Sequence, residues 1–414
     1  MTPFPAVSTA PVTGVGPRAA RALTAEFARH NAATTALVVG ADHASAVVAA
    51  AVEALLPGDT LTLVAGERST ADLLRDHITG LGSWIADRVR ILESLAEADP
   101  ADVVILGEPL TGTAEDTRSV LEGLSKYLTE GAVVCVATPA VPGRTGGAAA
   151  ELFRQSALFG VGSDLVARNQ PPLRVHKLRF SPADAKVAAT LAPAYRPSSV
   201  PVTRGMHIDS NGVAAAGIAL GLAAVARAAR PKSKLWLIPA LAAAPVAAFF
   251  RDPERDIPAD PKAIVAASDG RVLSVERLRD ETLGEGEFLR VAVFLSVLDV
   301  HVNRVPVAGR VADYFVVDGG YANAMTAAAE HNVAAYTVLE TDHGRVVVAQ
   351  RTGLIARRIV QRTPVGTLVA KGERMGLIRF GSRTDVYLPV DRAEATVAVG
   401  DKVVGGSSII ARWS

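Results

Sequence analysis

The chain has 414 residues, with 43 Lys plus Arg against 42 Asp plus Glu, and 49% of its residues are hydrophobic. That length allows two or three domains, each with its own core, and the balanced charge excludes a global preference for nucleic acid or another polyanion. The single cysteine, Cys135, excludes an intramolecular disulfide framework and reads as a buried structural thiol, and the eight histidines show no metal-ligand spacing, so no metal site is expected.

The first 27 residues lack a charged start followed by an apolar core and do not read as a secretory signal, so the expected location is the cytoplasm or its membrane face. From about residue 30, short apolar runs alternate with helical patterns. The runs are TALVVGA (35–41), DTLTLVAGE (59–67), RVRILES (88–94), ADVVILGE (101–108) and GAVVCVATP (131–139). Such alternation predicts βαβ units on a parallel sheet, a Rossmann-like α/β domain over residues 15–190. The pattern resembles the S-adenosylmethionine-dependent methyltransferase fold. It departs from that family at the first loop, where several glycines normally let backbone N–H groups approach the cofactor and VVGADHASAVV offers only Gly40. Glu67 ends the second run, where a ribose hydroxyl could be held. The reading is a degenerate accessory domain, with S-adenosylmethionine as a cofactor kept as the alternative.

Residues 191–211 concentrate proline, serine and glycine and read as a linker. A hydrophobic helical hairpin follows at 212–250, made of VAAAGIALGLAAVARAAR and KLWLIPALAAAPVAAFF around the cations Arg230, Lys232 and Lys234. Each segment, at about 17 residues, would make roughly 26 Å of helix, short of the ~30 Å hydrocarbon core. With Pro239 and Pro245 present, the pair reads as a kinked, peripheral or hairpin-anchored membrane element whose basic turn suits anionic headgroups. The alternative is an alanine-rich hairpin packed in the core.

From residue 251 to 414 the texture changes to many short alternating runs with glycine turns, which predicts a mainly-β domain with a flattened-barrel character. KGERMG and VGDKVVGGS read as two similar turns. Five stretches then stand in order: FFRDPER (249–255), ASDGRV (267–272), FLSVLDVHVNRVP (294–306), GLIARRI (353–359) and RFGSRTDVYLP (379–389). Over roughly 206–414 the chain thereby resembles the phosphatidylserine decarboxylases in their short proenzyme form. The resemblance implies an enzyme at the cytoplasmic face of the cell membrane that cleaves its own chain, carries a pyruvoyl cofactor, and turns phosphatidylserine into phosphatidylethanolamine and carbon dioxide.

The chemistry explains the Gly-Ser pair. Decarboxylation leaves electrons on the α-carbon, so an electron sink is needed, and a pyruvoyl ketone formed from serine supplies one within the chain. The expected route is attack of Ser382 Oγ on the Gly381 carbonyl, an N-to-O acyl shift, then elimination, which cuts between 381 and 382. Glycine leaves that carbonyl unshielded. Serine needs a base, and a base is best oriented by a third group; the matched motifs supply His301 and Asp269. Longer bacterial members carry a second histidine where this chain has Arg304. Arg304, Arg357 and Arg358 are candidates for gripping the phosphodiester. Other Gly-Ser pairs occur at Ser83, Ser163 and Ser407. Cutting before Ser407 would leave a small chain of eight residues, too few to hold a cofactor, whereas cutting before Ser382 leaves 33.

Three alternatives accompany this reading: a bifunctional chain whose first domain methylates the product amine, a pyruvoyl decarboxylase for a related amine-bearing carboxylate, and a lipoyl-type carrier module. The last needs a lysine at a hairpin tip, and none lies between Gly376 and Gly400. The expected partners are phosphatidylserine and the membrane surface, with the large and small chains held together; a homo-oligomer stays open.

Overall fold

In the computed structural model of the protein the described residues are 14–140, 147–194, 200–354, 358–378 and 382–414. The chain divides into two compact units, Met1–Pro197 with Gly366–Leu368, and Ser198–Val365 with Val369–Ser414.

The first unit is a mixed sheet covered by helices. Its strands are β1 (Thr35–Val39), β2 (Thr60–Val64), β3 (Val89–Leu92), β4 (Ala101–Leu106), β5 (Leu128–Pro139), β6 (Gly160–Val166) and β7 (Leu173–Leu178), in the spatial order β3-β2-β1-β4-β5-β7-β6. The first five are parallel, and β7 runs antiparallel to both β5 and β6. The helices are α1 (Pro17–Leu23), α2 (Ala25–Ala28), α3 (Ala46–Glu53), α4 (Arg68–Gly80), α5 (Ser83–Ala86), α6 (Ala114–Leu124) and α7 (Gly147–Phe159). Strand alternation divides the core in two: Ala36 and Val38 pack with Val47 and Ala51 of α3, whereas Leu37 packs with Leu121 and Leu124 of α6. Burial on both faces is why these strands read as continuous apolar runs. A capping box between Thr113 and Asp116 starts α6. Strands β6 and β7, two more than the five runs, carry a buried ionic cluster in which Lys177 meets Glu26 at 3.1 Å and Asp164 at 3.5 Å. Cys135 is fully buried on β5, and burial pushes its thiol up to about 12.

The second unit opens within the stretch read as a linker, where β8 (Val200–Thr203) and β9 (Met206–Ile208) lie; β9 pairs with β10 (Arg251–Pro253). Between β9 and β10 stand α8 (Ser210–Ala229) and α9 (Leu237–Phe249). Asp209 caps α8 by accepting from Asn211 N at 2.9 Å. This starts the helix three residues before the apolar text does and lengthens it to 20 residues, about 30 Å. By length and composition alone α8 suffices to cross a membrane, and α9, with Pro245 inside it, is shorter. The base of the hairpin is fixed by Phe249 and Phe250, which pack with Leu377.

The rest is an antiparallel half-barrel. In chain order its strands are β11 (Ala263–Val265), β12 (Gly270–Leu278), β13 (Phe288–Leu295), β14 (Val302–Arg304), β15 (Gly309–Val317), β16 (Ala334–Thr341), β17 (Gly344–Arg351), β18 (Ile359–Gln361), β19 (Leu368–Val369), β20 (Arg374–Ile378), β21 (Ser382–Pro389), β22 (Ala393–Ala395), β23 (Lys402–Val403) and β24 (Ile409–Trp413). Eight form one sheet, β19-β15-β16-β17-β21-β13-β12-β23, beside the smaller sheets β11-β24-β22 and β14-β20-β18. Period-two alternation sends Val291, Val293, Val346, Val348, Val386 and Leu388 into one core and Val347, Ala349 and Tyr387 into another.

Candidate active site

Strand β21 lies between β13 and β17, and its first residue, Ser382, stands opposite Leu295. Alternation puts Ser382 and Thr384 on the same face as Val386 and Leu388, inside the core. Ser382 is completely buried, and its Oγ has no hydrogen-bond partner among the described residues. Leaving a buried hydroxyl unpaired costs about 1–3 kcal/mol, so such an atom marks a site of chemistry or of an absent partner. Gly381, predicted to carry the attacked carbonyl, lies outside the described residues, as does Arg357.

The chain reaches His301 directly from the strand opposite Ser382. After Leu295 a tight turn forms, in which Ser296 N and Oγ donate to Asp299 Oδ2 at 2.8 and 2.7 Å and Asp299 N donates to Ser296 O at 3.0 Å. His301 then leads into β14, whose partner is β20, and the His301 carbonyl accepts from Ile378 N at 3.3 Å. One connection therefore joins the residue opposite Ser382 to the residue that holds Ile378.

The His301 Nδ1 is 2.9 Å from the Asp299 carbonyl oxygen. A carbonyl only accepts, so Nδ1 carries the proton and the lone pair sits on Nε2. That Nε2 is buried and without a partner among the described residues. The ring lies against Phe249, and burial pushes its pKa down to about 4, against a weaker opposing pull from Asp299. The imidazole is thus neutral at pH 7, with its unprotonated nitrogen buried.

Asp269 is placed differently from the orienting role read in the motif. Its two carboxylate oxygens accept from Arg255 Nη2 at 2.8 Å each, and Oδ1 also accepts from Gly405 N at 2.8 Å. His301 is oriented by the Asp299 carbonyl, and the Asp269 charge reaches the ring only through space, as a small influence that raises its pKa. Gly270 fixes the location: its φ is 149°, and a Cβ there would meet the Phe294 carbonyl at 2.0 Å. Arg304 is buried and committed, with Nη2 donating to Asp252 Oδ1 and the Pro253 carbonyl at 2.8 Å each and Nη1 to the Gly372 carbonyl at 3.2 Å. Asp252 also binds Arg374. A guanidinium held this way is not presented to a phosphodiester. Arg358, by contrast, is exposed.

Sequence reasoning misses a buried amide pair. Gln350, opposite Thr384 on β17, donates through Nε2 to Asn303 Oδ1 at 2.7 Å, which leaves Asn303 Nδ2 and Gln350 Oε1 buried and unpartnered among the described residues. Ser268 and Thr384 share a hydrogen bond of 2.6 Å between their hydroxyls. Gln350 is the diagonal neighbour of Ser382 on one face of the β17–β21 pair, within reach of a long side chain. Asn303 stands in HVNR and Ser268 in ASDG, so the signal was inside the motifs, but Gln350 is brought in only by strand pairing.

The family model for phosphatidylserine decarboxylase matches residues 243–411. Among relatives, the phosphatidylserine decarboxylase proenzyme of Desulfotalea psychrophila is 43% identical over 164 residues, 39% of this chain and 76% of that protein. The proenzyme of Symbiobacterium thermophilum is 48% identical over 166 residues, 40% of this chain and 77% of that protein. The chain belongs to the phosphatidylserine decarboxylase family. Among solved structures, TrmN from Thermus thermophilus is similar at 19% identity and a TM-score of 0.31 over 39% of this chain, which spans about half of that protein's length (48%). A putative rRNA-methylase from Clostridium thermocellum is similar at 15% identity and a TM-score of 0.30, covering 39% of this chain and 94% of that one. These likenesses say nothing of a cofactor in the first unit.

Proposed function

We propose that the protein is a self-processing decarboxylase that converts phosphatidylserine to phosphatidylethanolamine and carbon dioxide at a membrane surface, with Ser382 as the source of its pyruvoyl group. The observation that carries this reading is the presence, within the family-matched region, of two buried atoms without partners among the described residues, Ser382 Oγ and His301 Nε2. One is a hydroxyl nucleophile and the other an unprotonated ring nitrogen, and residues 296–300 run from Leu295, the strand partner of Ser382, to His301.

In the processing step His301 Nε2 takes the Ser382 hydroxyl proton while Oγ bonds to the Gly381 carbonyl carbon. The C–N bond then breaks, the amine takes up the proton, and the peptide becomes an ester. Loss of the Ser382 Cα proton breaks the Cβ–Oγ bond and frees the upstream chain as a Gly381 carboxylate. The dehydroalanine left behind tautomerises to an imine, which takes up water and loses ammonia. The free Asn303 amide donor supports negative charge during the attack, in a place where burial makes such a donor effective. The pyruvoyl group, once made, supplies the electron sink for loss of carbon dioxide. It fits the surroundings of Ser382, where Asn303 Nδ2 retains a donor for one of its carbonyls.

The 33-residue small chain carries β21 to β24 and stays held by strand pairing. β21 lies between β13 and β17, and β24 pairs with β11 of the large chain. Asp269 and Arg304 act as positioning residues, and Arg358 remains a candidate headgroup contact. The first unit is an accessory. Purified protein given phosphatidylserine vesicles should form phosphatidylethanolamine, and hydroxylamine, which captures the pyruvoyl ketone, should stop it. Turnover that survives hydroxylamine would contradict the reading.

A further inference from the structure

The turn that orients His301 ends in a bare apolar tip. Val297 is 47% exposed and Leu298 83%, an arrangement that water disfavours. The same turn is tied to the end of the apolar hairpin: the Arg251 guanidinium donates to the Leu298 carbonyl, and the Phe249 ring lies tilted against His301. The hairpin is itself uncovered, with Ile218, Leu222 and Val225 exposed at i, i+4, i+7 spacing along α8 and Ile238 and Leu241 exposed on α9. The exposed cations Arg230, Lys232 and Lys234 join the two helices.

We propose that the 296–299 turn, with Leu298 at its tip, seats in an anionic lipid bilayer beside the hairpin, so that the backbone holding His301 is also a membrane contact. This rests on the lipid-decarboxylase reading above and deepens it. The occupant is a bilayer because the apolar tip is continuous with a hairpin whose linking turn is cationic, which matches an apolar interior beneath anionic headgroups. The headgroup of a lipid in that bilayer then lies next to the turn from which Asp299 holds the His301 ring.

The test compares the full-length protein with Val297→Glu/Leu298→Glu and with Leu298→Trp. The probes are vesicles of phosphatidylcholine containing phosphatidylserine and, separately, soluble dihexanoyl phosphatidylserine. The double variant should self-cleave normally and turn over the soluble substrate at the wild-type rate. It should lose roughly tenfold or more in vesicle sedimentation and in turnover of vesicle substrate, as expected from withdrawing buried apolar side chains from lipid. Leu298→Trp should retain both, since tryptophan suits the interface. Unchanged vesicle binding in the double variant would overturn the proposal. A parallel loss of self-cleavage or soluble turnover would overturn it too, by making the turn merely structural. A wild-type chain that turns over neither substrate would contradict the decarboxylase reading, while vesicle sedimentation would still decide the role of the turn.

Discussion

The ring centroid of Phe249, the last residue of α9, lies 4.3 Å from that of His301, with the planes inclined by 39°. The apolar hairpin thus ends on an imidazole whose Nε2 is buried and without a partner among the described residues. The contact removes water from the ring, and burial is the largest cause of its lowered pKa.

Phe249→Ala should therefore raise the His301 pKa from about 4 toward its ordinary 6.5. Ring-proton titration by NMR checks this, in a Ser382→Ala background that keeps the chain whole. An unmoved pKa would mean that the ring is shielded by other groups.

Stability should fall in mild acid, and the sign follows from burial. His301 and His176 both have pKa values lowered from 6.5 to about 4. Below pH 6.5 the unfolded chain takes up these protons and the folded chain does not, until the pH passes 4. Their contribution is fully present above 6.5 and is lost between 6.5 and 4, by up to about 1.4 kcal/mol per pH unit per group. Denaturant unfolding at pH 7 and 5 should show a smaller acid loss in His301→Gln and His176→Gln than in the wild type. Equal losses in all three would contradict the burial argument.

Asp269→Asn should behave as a positional defect. It removes the charge facing Arg255 yet keeps an acceptor for Gly405 N, so stability should drop by about 1–3 kcal/mol while self-cleavage slows less than tenfold. His301→Ala should slow self-cleavage by roughly 10² or more. Gel-monitored cleavage rates beside unfolding curves separate the two. An Asp269→Asn chain as stable as wild type but as slow as His301→Ala would restore the orienting role to Asp269.

Asn303→Ala should slow self-cleavage on the order of 10²-fold, the usual effect of removing one donor from developing negative charge. A time course of cleavage after synthesis reads this directly. Normal cleavage kinetics would confine the Asn303–Gln350 pair to packing.

Local text made the broad architecture legible. Ala36, Leu37 and Val38 are buried on both faces, so their strand reads as an unbroken apolar run. Strands β6 and β7 escape the same reading because Asp164, His176 and Lys177 are polar residues whose burial is balanced by partners distant in sequence: Lys177 meets Glu26, 151 residues away. In the candidate site, Ser382 and His301 stand out because the chemistry demands a nucleophile and a base within matched motifs. The partners of Asp269 and Arg304 do not stand out. FFRDPER contains both Asp252 and Arg255, yet only folding pairs them with Arg304 and Asp269. The Gln350–Asn303 bond, spanning 47 residues, is likewise a product of strand register.

Whether Ser382 becomes the pyruvoyl group by cutting the chain before itself is read from the intact mass of the purified, active protein. Two chains are expected, of 381 and 33 residues, the smaller one blocked at its N-terminus, carrying a ketone that reacts with hydroxylamine, and absent from Ser382→Ala. A single unbroken chain with full activity, or normal cleavage in Ser382→Ala, would contradict it.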